Sequence, residues 1–198
     1  MLPGKENYKK SDRAEWIKPL AWSLRFWLRY LGPITFLMLV AALGRAFQMK
    51  AAGPVSPFLY WFLEMLVAVA RILTLLVIGG LGSIRQGGRN FIGILKMKTQ
   101  DWRQAGAATM KTFSNDWAVF LMSIIVFSCI AFVINRSITM VAANDKFLQA
   151  LKDNHILVQS ASGMPVVFFL KNLTVIPFTM IFDVAIVLWL CGKLTKRV

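Results

Sequence analysis

Four long apolar runs alternate with basic, aromatic-bearing connectors along this chain. They occupy residues 31–47 (LGPITFLMLVAALGRAF), 58–84, 117–134 (WAVFLMSIIVFSCIAFVI) and 166–190 (VVFFLKNLTVIPFTMIFDVAIVLWL). Each approaches or exceeds the roughly 20 residues an α-helix needs to cross a hydrocarbon core. Without water at that depth, every backbone N–H and C=O must be paired within the segment, which a helix achieves. The two-residue alternation of barrel strands is missing. The pattern therefore predicts an all-α, polytopic integral membrane protein with four transmembrane helices. It divides the chain into a basic segment at 1–30, a four-helix domain at 31–190 and a basic tail at 191–198.

Composition agrees. Of 198 residues, 57% are hydrophobic and 16% charged, against about 45–50% and about 25% in ordinary soluble domains. The net charge of +14 would point to nucleic acid in a soluble protein. Here the basic residues flank apolar runs, where they set orientation and meet anionic headgroups, so no nucleic-acid partner is expected. No apolar h-region with a small-residue cleavage site follows the basic N-terminus, so a removed signal peptide is not expected.

The Lys and Arg distribution also orders the spans. Residues 1–30 hold seven, 85–116 hold six and 191–198 hold three; the two alternate connectors hold five, counting Arg45. Sixteen against five places both termini in the cytoplasm or its equivalent and requires an even number of spans.

Two connectors read as amphipathic interfacial helices. In 14–30, Trp16, Trp22, Trp27 and Tyr30 mix with Lys18, Arg25 and Arg29. In 85–116, Phe91, Ile94, Leu95 and Trp102 recur among Arg89, Lys96, Lys98 and Arg103. Aromatic rings favour the headgroup level and long basic side chains snorkel toward phosphates, which makes the bilayer and its anionic lipids the expected partners of these segments. Gly87-Gly88 is expected to break the second span. In the loop 135–165, residues 142–151 fit a short helix. The N-x-[ST] sites at Asn135 and Asn172 abut or enter a span and are not credible glycosylation acceptors.

The spans are not purely apolar. The second carries Glu64 and Arg71; the fourth carries Lys171, Asn172, Thr179 and Asp183. Seven residues bring Glu64 and Arg71 to one helix face, about 10 Å apart. If the second and fourth spans begin at one level, Glu64 lies near the depth of Lys171, and Arg71 within reach of Asp183. Cross-pairing in those two couples is expected, since an unpaired charge in hydrocarbon costs about 2.5 kcal/mol or more. Pro177 removes the donor for the Leu173 carbonyl and allows a kink between Lys171 and Asp183. WFLEMLVAV (61–69) and FFLKNLTVI (168–176) share a faint echo, of the kind two related hairpins would leave.

Chemistry is sparse. There is no HExxH, GxSxG or nucleotide-binding signature. One histidine, His155, builds no metal cluster, and Cys129 and Cys191 have neither metal-ligand nor CxxC spacing. No enzyme activity, metal or cofactor is expected. The pattern fits a non-catalytic membrane subunit of a larger assembly, of secretion, conjugation or translocation type, with other membrane subunits or further copies as partners. A small ion or proton transporter using the intramembrane charges is the alternative, and a membrane-bound regulator a third class. A bacterial inner membrane is the expected location, although an organelle membrane fits the charge pattern equally well.

Overall fold

A computed structural model describes residues 15–192 and residue 194. The basic residues at 5–13 and at 193, 196 and 197, which contribute to the charge asymmetry, lie outside the described residues. Among the described residues the chain is helical without strands, as α1 (Ile17–Arg29), α2 (Leu31–Gln48), α3 (Pro57–Gly79), α4 (Ile84–Leu95), α5 (Thr99–Ala142), α6 (Asp145–Asp153), α7 (Met164–Leu173) and α8 (Val175–Leu190). Four stretches are long and apolar enough to cross a membrane: α2, α3, part of α5, and α7 continued by α8. This is the make-up of an integral membrane protein.

Helix α2 is the centre of the packing, with its broadest contacts to α3 on one side and α7 on the other. Its small residues make this possible. Ala41, Ala42 and Gly44 are buried, and a Cβ on Gly44 would stand 2.8 Å from Val67 Cγ2. Without a hydrophobic drive between helices in lipid, such close backbone approach is what holds spans together. Ile34, Met38, Val67, Ile78 and Ile181 fill the central core. Helix α3 starts cleanly because the Ser56 side chain accepts from the Leu59 amide and Pro57 takes the first helical position, where a missing N–H leaves nothing unpaired.

The second span is shorter than its apolar run. Helix α3 stops at Gly79, not at residue 84, in a turn where Leu81 and Gly82 take left-handed backbone (φ 51° and 101°). Gly87 and Gly88 do not break the span; both lie within α4. Gly87 faces α3 so closely that a Cβ would collide with the Leu76 carbonyl oxygen. The glycine that looked like a helix breaker permits a tight α3–α4 corner. Asn90 Nδ2 closes it with a bond to the Gly79 carbonyl at 2.9 Å.

The third span is the middle of a far longer helix. Helix α5 runs for 44 residues and departs from helical geometry only at Asp116 (φ −122°, ψ 26°), immediately before the apolar run begins at Trp117. At 1.5 Å per residue it is about 66 Å long, twice a hydrocarbon core. It packs on α7 and α8, where Phe127 stacks on Phe182 at 4.1 Å and 2°. The fourth span is discontinuous, with Thr174 (φ −122°, ψ −75°) separating α7 from α8. The break falls one turn before Pro177, where the Leu173 carbonyl loses its donor. Asn172 and Thr174 side chains back-bond to the Phe168 and Leu170 carbonyls at 2.7 Å, which also favours bending. The stretch echoing it, 61–69, lies in unbroken α3.

One expectation about α1 needs correction. It is not a helix resting on lipid alone: Pro19, Trp22, Ser23 and Phe26 are buried, against α8 in the main. Trp22 stacks on Phe26 at 5.0 Å and Phe26 meets Tyr30 at 4.7 Å. The i, i+3, i+4, i+7 spacing of those four residues is the signature of a core-facing stripe. Arg25 and Arg29 remain exposed on the opposite side.

The connectivity gives the bundle two ends. The loop 49–56, α6 and the start of α7 lie at one, here the loop end. The α3–α4 corner lies at the other, here the corner end. A Cβ on Gly82 would run into the Tyr30 ring, which seats the α1–α2 junction there as well.

Candidate intramembrane polar site

The hairpin of α2 and α3, hinged on residues 49–56, lays the last turn of α2 beside the second turn of α3. Arg45 Nη1 and Nη2 donate to Glu64 Oε2 and Oε1 at 2.7 and 2.8 Å, a two-pronged ion pair. Arg45 Nη1 also donates to Gln48 Oε1 at 2.9 Å. Gln48 Nε2 in turn donates to Glu64 Oε2 and to the Tyr60 carbonyl, each at 3.1 Å. Gln48 is buried, and the Arg45 and Glu64 side chains keep 17% and 35% of their exposure. Matched planar geometry and a third polar partner make this the strong form of an ion pair.

Arg71 lies two turns further along α3. Its Nη2 donates to Asn172 Oδ1 at 3.0 Å, and Asn172, fully buried, uses Nδ2 on the Phe168 carbonyl at 2.7 Å. The Arg71 Nε is buried without an acceptor. Asn172 sits in the last turn of α7, whose dipole favours a cation. That contribution is about 0.3–1 kcal/mol at exposed sites, and an interhelical hydrogen bond in lipid averages about 0.6 kcal/mol. Together they fall short of the cost of a mid-span arginine, about 2.5 kcal/mol at least.

The expected cross-pairing of α3 with the fourth span is not what forms. Glu64 pairs with Arg45 rather than Lys171, and Arg71 bonds to Asn172 rather than Asp183. The reason is axial offset. Arg71 is fourteen residues past Pro57, yet stands level with Asn172, only eight past Met164. Allowing for the axial reach of a guanidinium, the contact places the start of α3 further out than that of α7, and Asp183 lies about 16 Å beyond Asn172. Equal starting depth was the wrong premise.

Of the six polar residues singled out in the spans, the structure joins Arg71 to Asn172 and ties Glu64 to residues outside the set. Thr179 is turned to its own helix, donating to the Val175 carbonyl at 2.8 Å. Lys171 is half-buried and Asp183 exposed, and neither has an ion-pair partner among the described residues. The residues missed were Arg45 and Gln48. Arg45-x-x-Gln48, straddling the end of an apolar run and facing an acid beyond a short loop, was the available signal.

The basic and aromatic residues divide by environment. Arg25 Nε bonds to the Ala21 carbonyl at 3.2 Å and Arg29 stands 5.8 Å over the Tyr30 ring. Trp27 packs on Phe178 at 5.6 Å. The Trp16 carbonyl accepts from Ser123 Oγ of α5 at 2.8 Å, so this residue is a tie between helices as well as an aromatic anchor. Arg89, Lys96, Lys98, Trp102 and Arg103 are exposed on α4, the α4–α5 connector and the start of α5. Among the described residues no group of three or more His, Cys, Asp or Glu is placed to hold a metal. Searches of family models, curated proteins and solved structures find no match to the chain.

Proposed function

We propose that the protein is a non-catalytic membrane subunit of a larger assembly. The observation that carries this reading is the unbalanced ionic content of its spans. Arg45 and Glu64 satisfy each other, while Arg71, Lys171 and Asp183 have no ion-pair partner in contact among the described residues. Lys171 stands one residue before Asn172, at the level of the Arg71 contact, and Asp183 lies about 10 Å from the end of α8. Charges left uncompensated at depth are the sites where another subunit is expected to contribute. The weakly packed α5 supports the same reading, since its apolar stretch leaves Trp117, Leu121, Ile125 and Phe132 exposed.

On this reading the corner end, with its Arg85, Arg89, Lys96, Lys98 and Arg103, faces the cytoplasm, and α4 with the first turns of α5 lies on anionic lipid or a docking partner. The proposed setting is a secretion, conjugation or translocation machine of a bacterial inner membrane.

Small-ion transport is the second reading, favoured by one observation: the helix break at Thr174 lies beside the Arg71–Asn172 contact, as broken helices flank sites in transporters. Native membranes extracted mildly and analysed by mass, together with flux into vesicles holding the purified chain, separate the two. The subunit reading expects a complex containing a second polypeptide and no flux. A lone chain that conducts an ion would overturn it.

A further inference from the structure

We propose that Arg71 receives a carboxylate carried at mid-depth on a transmembrane helix of a second, different protein. This rests on the subunit reading above and specifies what the partner presents. Arg71 has five N–H donors, of which Nη2 is used on a neutral amide and the buried Nε has no acceptor. The guanidinium is half-exposed at the edge of α3, where Ala68 and Leu75, one turn to either side, are also exposed. A small residue one turn away leaves room for another helix backbone to approach.

Depth decides the source of the missing charge. Arg71 is about 21 Å from the first residue of α3 and about 12 Å from the last, further than a guanidinium snorkels. A lipid phosphate therefore does not supply the anion. A second copy of this chain does not either. Parallel copies place like residues at like depth, and the carboxylates of the spans lie well off that level. Glu64 is about 10 Å toward the loop end and already engaged, and Asp183 is about 16 Å the other way. An Asp or Glu on a partner helix, level with Asn172, can take the free edge of the guanidinium in a charge-assisted hydrogen bond.

The test uses the full chain in lipid vesicles and three synthetic leucine-rich transmembrane peptides with Glu, Gln or Lys at the centre, association being read by energy transfer. The Glu peptide is expected to bind on the order of tenfold better than the Gln peptide. Arg71→Gln should abolish that preference, Arg71→Lys should retain part of it, and Arg71→Glu should transfer it to the Lys peptide. Equal binding of Glu and Gln peptides by the unaltered chain overturns the proposal, whether or not the variants fold. So does a Glu preference that survives Arg71→Gln, or Arg71-dependent chloride flux without peptide preference, which would assign the site to a small anion. If native extracts hold a second polypeptide while the peptides bind equally, this inference fails and the subunit reading stands.

Discussion

Arg45 forks onto both carboxylate oxygens of Glu64, at 2.7 and 2.8 Å, across the first helical hairpin. This contact joins neighbours in the chain rather than distant spans, so it forms with the hairpin itself. The charge of Glu64 is thereby spent on holding two adjacent helices in register.

Removing one member should be costly and exchanging both should not. Breaking a fully buried pair costs about 3–5 kcal/mol; partial exposure here reduces the expected loss for Glu64→Gln to roughly 1–3 kcal/mol. The double exchange Arg45→Glu with Glu64→Arg should recover most of it, whereas Glu64→Lys with Lys171→Glu should recover nothing. Thermal melts in one detergent read all three.

The α3–α4 corner predicts a contrast between adjacent glycines. Gly87→Val forces a side chain into the Leu76 backbone, with a cost of roughly 1–3 kcal/mol. Gly88 meets nothing within 4 Å, so Gly88→Ala should be neutral or stabilising by up to about 1 kcal/mol through helix propensity. Protease sensitivity of residues 80–96 should rise in the first variant and not in the second.

The path of α5 along α8 is open to a covalent check. Thr109 Oγ1 lies 3.7 Å from Cys191 Sγ, so Thr109→Cys should form a disulfide with native Cys191 under mild oxidation. Adding Phe127→Ala removes the ring stacked on Phe182 and should slow the cross-link by loosening α5 against α8. Gel mobility under non-reducing conditions reports both outcomes.

Much of the architecture was legible because hydrocarbon imposes one demand on every residue of a span. Apolar length located all four spanning segments, Pro177 marked the region of the break, and residues 142–151 located α6 to within three residues. What escaped depended on axial position. A window of hydropathy sees Trp117–Ile134 but not that α5 continues through polar sequence on both sides, where amphipathic helix is equally stable. Arg45 stands near the end of its run and reads as a loop charge, yet its depth matches Glu64 once the hairpin closes. Offset between α3 and α7 follows from how each packs on α2, and no periodicity encodes it. The same holds for α1: its stripe of Pro19, Trp22, Ser23 and Phe26 is visible in sequence, but aromatic-basic composition suits a lipid surface and a protein groove alike.

The account stands most directly on the placement of the connectors across the bilayer. With Cys129 and Cys191 replaced by Ser, single cysteines at Arg89, Lys111, Lys50 and Lys152 can be labelled with an impermeant maleimide in sealed vesicles of known orientation. The first two should react from the side that corresponds to the cytoplasm and the last two only from the opposite side. Labelling of Arg89→Cys and Lys152→Cys from the same side would contradict the four-span arrangement and, with it, the stranding of Arg71 inside the membrane.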